Sequence, residues 1–219
     1  MQLGRADAPV PVANTSPTDL KSAVLAWLEP QVTPKRLRHI LAVEALAIAL
    51  ARQHQVDPQQ AAQAALLHDL AKHFPPAQLL AMAQEAGIPL DDTLVAAPQL
   101  LHAEVGAIVA RDIFGITDPA VLDAIRHHTL GAPEMSPLSC VVFLADSLEP
   151  GRGNTPELAS LRDLSQRNLY LAIAETSTYV IQRLLITRRL IHPRTVLTRN
   201  WALQQVSRSG ENDNHCNLD

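Results

Sequence analysis

Six times along this 219-residue chain, a side chain able to cap a helix stands directly before a proline: Ser16-Pro17, Thr33-Pro34, Asp57-Pro58, Asp118-Pro119, Ser136-Pro137 and Thr155-Pro156. The first turn of a helix leaves backbone N–H groups without an intrahelical partner. A Ser, Thr or Asp oxygen accepts one of them, and proline at the first helical position gives up an N–H that had no partner anyway. Each pair therefore marks a helix start. A chain punctuated in this way has little room for sheet. Aromatic residues make up only 3% of it, whereas strands favour aromatic and β-branched side chains. Strand-type alternation and Asn-Gly hairpin turns are both missing.

The segments behind these starts carry helical periodicity. Leu37, Ile40, Leu41, Ala45 and Ile48 recur at helical spacing after Thr33, and Ala61, Ala64, Ala65 and Leu67 do so after Asp57. Further helices are expected over 76–86, stopped by Gly87, and over 98–113, closed by Gly115. Val121, Leu122 and Ile125 belong to the helix opened by Asp118. Residues 138–148 form a nearly continuous apolar helix, expected to be buried. A long final helix is expected over 169–190, ending before His192-Pro193. The expectation is one all-α domain over residues 18–203, with a loose arm over 1–17 and a disordered polar tail over 204–219. With 47% hydrophobic residues, such a domain can bury a sizeable core.

Several classes of function are disfavoured. A net charge of −4 argues against a nucleic-acid binder, which is normally basic. No apolar run is long enough to span a bilayer, and no secretory leader is visible. Cys140 and Cys216 cannot build a disulfide framework, so a reducing, cytoplasmic setting is expected.

Residues suited to metal chemistry are spread over five segments. His68-Asp69 ends an apolar helix, with Lys72 one turn later. His39 follows Arg36 and Arg38, His102 follows Leu100-Leu101, and His127-His128-Thr129 closes another helix. Asp146 sits inside Val141-Val142-Phe143-Leu144-Ala145, where a carboxylate is costly to bury unless a metal or an arginine compensates it. Any one of these histidines, taken alone, is more often a hydrogen-bonded core residue than a ligand. Five separated segments each placing a ligand-type residue beside an apolar patch weaken that bland reading. His54, His73, His192 and His215 stand in polar or loop contexts and are expected to be solvated. His127 is expected to be a neighbour of the site only.

The order His39, His68-Asp69, His102, His128 and Asp146 resembles the HD-domain metallohydrolase superfamily. The segments Leu66-Leu67-His68-Asp69-Leu70-Ala71-Lys72, Pro98-Gln99-Leu100-Leu101-His102, Ala124-Ile125-Arg126-His127-His128-Thr129-Leu130-Gly131 and Leu144-Ala145-Asp146-Ser147-Leu148-Glu149-Pro150-Gly151-Arg152 are similar to its YqeK-like branch, the symmetrical diadenosine tetraphosphate (Ap4A) hydrolases. The sequence departs from that branch at Cys140, where lysine is usual, and at Ser147, where tyrosine is frequent. The resemblance implies an HD-domain helical bundle and a two-metal site, with iron as the expected metal and manganese or zinc as alternatives. His39, His68, Asp69, His102, His128 and Asp146 would be the ligands, with Asp69 bridging. It further implies that Arg36, Lys72 and Arg152 contact the phosphates of an ADP product, with Thr129 and Gly131 beside that pocket. Asp69, Lys72 and Arg152 would carry the catalysis.

Mixed imidazole and carboxylate donors suit iron, manganese or zinc better than calcium. The reaction implied is hydrolysis of a dinucleoside polyphosphate, diadenosine tetraphosphate, into two ADP. Three other readings compete. One is another HD phosphohydrolase acting on a nucleoside monophosphate, a dNTP or a cyclic nucleotide. A second is a non-catalytic HD nucleotide-binding regulatory module. A third is a structural helical adaptor, which offers no explanation for Asp146. The oligomeric state stays open, a homodimer included.

Overall fold

The computed structural model describes residues 17–215, with side chains over 19–208. Among the described residues there are eleven α-helices and no strand: α1 (Pro17–Leu28), α2 (Pro34–Gln53), α3 (Pro58–Leu67), α4 (Pro76–Glu85), α5 (Asp92–Ala96), α6 (His102–Phe114), α7 (Pro119–His127), α8 (Pro137–Leu148), α9 (Pro156–Arg167), α10 (Leu169–Ile186) and α11 (Pro193–His215). Short 3-10 turns over Pro98–Leu101 and Pro150–Arg152 precede α6 and follow α8.

The capping prolines start helices as their chemistry dictates. Thr33, Asp57, Asp118, Ser136 and Thr155 each accept a first-turn N–H from their own helix. Such a cap contributes about 1 kcal/mol. Residues 1–16 of the expected loose arm over 1–17, Ser16 among them, lie outside the described residues, and Pro17 already belongs to α1. Gly115 closes α6 in the left-handed conformation, with φ 66°, which glycine adopts without a Cβ clash.

Helix α8 is buried along nearly its whole length, from Leu138 to Leu148. Helices α2 and α7 pack along it, α3 packs against all three, and α6 lies on α7. Leu67, Leu70, Ile125, Leu144 and Ile173 are fully buried in the shared core. Each such side chain is worth about 1.5–3 kcal/mol of burial. α3 and α7 end, and α6 begins, at the same end of this bundle, and that end is where the polar residues gather.

The C-terminal part departs from the sequence expectation. The last long helix stops at Ile186 rather than 190, and Arg188 takes a positive φ of 52° in the turn that follows. A further helix, α11, then pairs with α10 and runs without interruption across residue 204, where the domain was expected to end. Its start was hidden because its cap is unusual: the His192 ring, at Nδ1, accepts the Arg194 N–H at 3.1 Å. Its apolar face is short but sufficient, since Ala202 is fully buried and Trp201 meets Tyr170 edge to face. Residues 204–208 continue the helix, with Gln204, Ser207 and Arg208 exposed and Gln205 and Val206 half-buried. Residues 216–219 of the expected disordered tail lie outside the described residues.

Candidate metal centre

His68 and His128 sit at the C-caps of α3 and α7, His102 opens α6, His39 lies in the second turn of α2, and Asp146 in the last turn of α8. The last carbonyls of a helix lack intrahelical partners. The ring Nδ1 of His68 donates to Ala65 O at 2.6 Å, that of His128 to Ile125 O at 2.7 Å, and that of His102 to Gln99 O at 2.6 Å. A carbonyl can only accept, so these three rings carry their proton on Nδ1 and offer an Nε2 lone pair. The His39 Nδ1 is held by Glu149 Oε1 at 3.0 Å. All four Nε2 atoms thus point to one place.

Asp69, 2% exposed, stands between them. Its Oδ2 lies 3.6 Å from His39 Nε2 and 3.5 Å from His68 Nε2, while its Oδ1 lies 3.4 Å from His102 Nε2 and 3.8 Å from His128 Nε2. Asp146 Oδ1 completes the first group, 3.1 Å from His39 Nε2 and 3.7 Å from His68 Nε2, with those two nitrogens 3.4 Å apart. Four donors around one ion at about 2.1 Å would be spaced by roughly 3.4 Å in a tetrahedron. His39, His68 and Asp146 stand 3.1–3.7 Å from one another, close to that spacing, and Asp69 Oδ2 lies at a similar distance from the two rings. In the second, His102 Nε2 and His128 Nε2 are 3.0 Å apart, with Asp69 Oδ1 as third donor. Two lone pairs brought that close repel unless a cation or a donor proton lies between or beside them. Lys72 Nζ, 3.1 Å from His102 Nε2, and the Thr129 hydroxyl, 2.9 Å from His128 Nε2, are at hand. By mutual distance the donors sort into His39-His68-Asp146 and His68-Asp69-His128, with His68 common to both. The helix C-termini of α3 and α7 add negative partial charge favourable to a cation. The donor set therefore fits divalent metal ions of the imidazole-and-carboxylate type.

The electrostatics agree with that use. Burial alone would push the Asp69 carboxyl up, but His68, His102 and Lys72 outweigh it and hold it well below the usual carboxylate range. Asp146 is likewise driven down, its desolvation outweighed by the His39 hydrogen bond and by Arg152. Burial, reinforced by the Lys72 charge, lowers His102 from 6.5 to about 4, and burial with the neighbouring rings lowers His128 well below its ordinary value. Both rings are held neutral, the form in which imidazole binds a metal.

The other expected site residues divide. Arg36 Nη1 donates to Asp69 Oδ2 at 2.7 Å, and the Arg152 guanidinium pairs with Asp146. Of the two compensating partners foreseen for Asp146, a metal or an arginine, Arg152 supplies the second, and the donor cluster around Asp146 is suited to hold the first. Lys72, His102 and Thr129 line a cleft of about 470 Å³ that runs from the centre to the α10–α11 turn, where Arg188 and Arg189 stand. Gly131 does not line it. Its φ is 66°, and a Cβ there would lie 2.4 Å from the Thr198 methyl of α11. It permits close packing of α11, and it directly follows Thr129 and Leu130, which do line the cleft. His127 turns to Ser139, 3.3 Å away, as a neighbour.

The solvated reading of the remaining histidines also needs correction. His192 is buried, with Nε2 2.9 Å from Asp91 Oδ2. His54 donates to Ser165 O at 2.7 Å, and His73 to the Gln31 amide oxygen at 3.0 Å. The side chain of His215 lies outside those described.

Sequence reading missed Glu149, Arg162, Arg188 and Arg189. Glu149 lies within a quoted segment, Leu144 to Arg152, but an acid after a helix end reads as solvated. Only its burial to 3% exposure reveals otherwise.

The HD domain model matches residues 36–151, just over half of the chain. The chain is 36% identical over 183 residues to the symmetrical bis(5'-nucleosyl)-tetraphosphatase of Halalkalibacterium halodurans, covering 84% of this chain and 97% of that one. It is 33% identical over 184 residues to the protein of the same name in Bacillus subtilis, covering 83% and 96%. A crystal structure from Clostridium acetobutylicum, described as a "predicted HD superfamily hydrolase involved in NAD metabolism", superposes with a TM-score of 0.81 at 30% identity, covering 88% of this chain and 100% of that one. No helix among the described residues is long and apolar enough to cross a membrane. The helical bundle, the clustered His and Asp donors and these relatives agree, and the chain belongs to the HD domain family.

Proposed function

We propose that the protein hydrolyses diadenosine tetraphosphate symmetrically, releasing two ADP, with a pair of metal ions, iron as the family resemblance implies and manganese or zinc as alternatives, held by His39, His68, Asp69, His102, His128 and Asp146. The observation that carries this reading is Asp69, which turns one oxygen to His39 and His68 and the other to His102 and His128. Bound there, divalent transition-metal ions supply an acidified water and polarise a phosphoryl oxygen.

The residues themselves do the rest. The fixed Nδ1–H bonds keep every Nε2 aimed at the centre without rotamer search. Lys72 brings a positive charge to the junction of centre and cleft, within reach of a bridging phosphate. Arg36 and Arg152 stand on the carboxylate side and neutralise charge growing on the departing phosphate. The cleft, with Arg188 and Arg189 at its far end, takes one nucleotide half. Gripping that half presents the phosphorus beyond it to the attacking water. Water adds one oxygen there, the bond between the second and third phosphates breaks, and both ADP products leave with the released proton passing to solvent.

Relatives of the same name, at 33–36% identity over most of their length, support the substrate class. The test is product identification from a panel of dinucleoside polyphosphates, with iron or manganese added anaerobically. ADP as sole product from diadenosine tetraphosphate is expected. ATP plus AMP, or no cleavage of any dinucleotide, would reject the proposal.

A further inference from the structure

Three of the four converging histidines are held through a backbone carbonyl three residues earlier. His39 is the exception. It sits in the second turn of α2, a 20-residue helix, where the preceding carbonyls are already engaged within the helix. A ring there has no free carbonyl to hold it and needs an acceptor from elsewhere. That acceptor is Glu149, 110 residues away, 3% exposed, with Oε1 3.0 Å from His39 Nδ1.

The carboxylate is itself built in place. Its other oxygen accepts the Gly151 N–H. A Cβ at Gly151 would lie 2.8 and 2.9 Å from the two Glu149 oxygens, so only glycine lets the side chain fold back over its own turn. Arg162 of α9 donates to the carbonyls of Leu148, Glu149 and Gly153, clamping that turn from outside. The next residue, Arg152, pairs with Asp146. One turn thus joins a metal-facing histidine to an arginine of the phosphate side.

We infer that Glu149 is a positioning residue of the centre, its carboxylate fixing the His39 ring with the proton on Nδ1 and making Nε2 a stronger donor than the three carbonyl-held rings. A carboxylate behind a ligating imidazole raises ligand basicity, and removing such a partner costs roughly 10–100-fold in metal affinity or activity. The inference rests on the metal-centre reading proposed above, but not on its substrate.

The test is a manganese titration of the chelator-treated full chain, with thermal melting of the metal-free form alongside. Glu149→Ala should weaken manganese binding by about ten- to a hundredfold. Glu149→Gln keeps the shape but offers one accepting oxygen to two donors, His39 Nδ1–H and the Gly151 N–H; it should weaken binding by about tenfold in a metal-free chain that still melts cooperatively, at a somewhat lower temperature. Gly151→Ala, which leaves Glu149 in place and displaces its carboxylate, should act in the same direction. If Glu149→Ala does not fold, the other two variants carry the test. Nitrogen-15 spectra of the metal-free chain give a second readout, since the His39 Nδ1–H form should lose population in Glu149→Ala. Manganese affinity within twofold of wild type in the folded variants, or a wild-type chain that takes up no manganese, would overturn the inference. A wild type that binds manganese but cuts no dinucleotide would reject the substrate proposal and leave this one standing.

Discussion

Arg36 donates to Oδ2 of Asp69 at 2.7 Å, and that oxygen also faces His39 and His68. The guanidinium thus sits where a cation at the first donor group would repel it, and where a phosphate anion would attract it. Arg36→Ala should leave metal content equal to wild type or higher. KM for diadenosine tetraphosphate should rise about tenfold or more, the scale of one lost hydrogen bond to a charged group. Steady-state kinetics beside elemental analysis decide this. A fall in metal content with KM unchanged would make Arg36 part of the metal centre instead.

Asp69→Ala should be far more severe, because the residue serves both donor groups. It also leaves His68 without its nearest carboxylate. Burial lowers the His68 pKa, but Asp69 outweighs that and raises it. Metal content should fall to background, and turnover by at least about a thousandfold, as expected when metal activation of water is lost. Full metal and full activity in this variant would exclude the centre described.

The metal-free protein should be most stable near pH 6.5. His102 and His128 have pKa values below their unfolded value of 6.5, His102 at about 4, chiefly through burial. Between 6.5 and 4 the unfolded chain therefore binds more protons than the folded one, and stability falls as pH falls. His68 runs the other way: its raised pKa gives stability that is complete below 6.5 and is lost as pH climbs through the folded value. Melting temperatures of chelator-treated protein across pH 4–9 should trace a maximum. A profile flat from 4 to 6.5 would mean these rings are not buried and neutral.

The helix starts could be read from sequence because capping is local: Thr33, Asp57, Asp118, Ser136 and Thr155 need only their next few residues. The ligand-type residues could be picked out because imidazoles and carboxylates in apolar segments are rare. What escaped depends on distant chain. His192 caps α11 with an imidazole, which no propensity rule anticipates, and α11 went unseen with it. Glu149 is a surface-type residue until a fold brings His39 across 110 positions to meet it. Gly131 matched a motif but is explained by Thr198, on a helix the sequence did not suggest.

Gly131→Ala therefore tests a packing role. The new methyl would occupy a positive-φ residue and lie 2.4 Å from the Thr198 side chain. Backbone strain and overpacking together should cost about 2–4 kcal/mol, seen as a lowered melting temperature. Thr198 also donates to Leu130 O at 3.1 Å, so relief by trimming it would be partial. At a temperature where the variant is folded, KM should stay within about twofold of wild type, as expected of a residue that makes no substrate contact. A large KM rise without destabilisation would return Gly131 to the substrate pocket.

Arg162 offers the strongest test that the Leu148–Gly153 turn is held from outside. Its Nε donates to Leu148 O at 2.7 Å, and its Nη2 to Glu149 O at 3.2 Å and Gly153 O at 2.7 Å. The planar fork meets three acceptors with one side chain. A lysine ammonium has no such fixed geometry. Arg162→Ala strands the carbonyl of the last residue of α8 and should destabilise the chain by about 1–3 kcal/mol. It should also loosen Glu149 and Arg152 together, so manganese affinity and kcat should fall in step. Arg162→Lys should recover most of the melting temperature but less of the manganese affinity, because one ammonium cannot fix all three carbonyls. If lysine restored both fully, or if alanine lowered stability while the folded fraction bound manganese normally, the turn would be holding itself, and Arg162 would be only a surface clamp on α9.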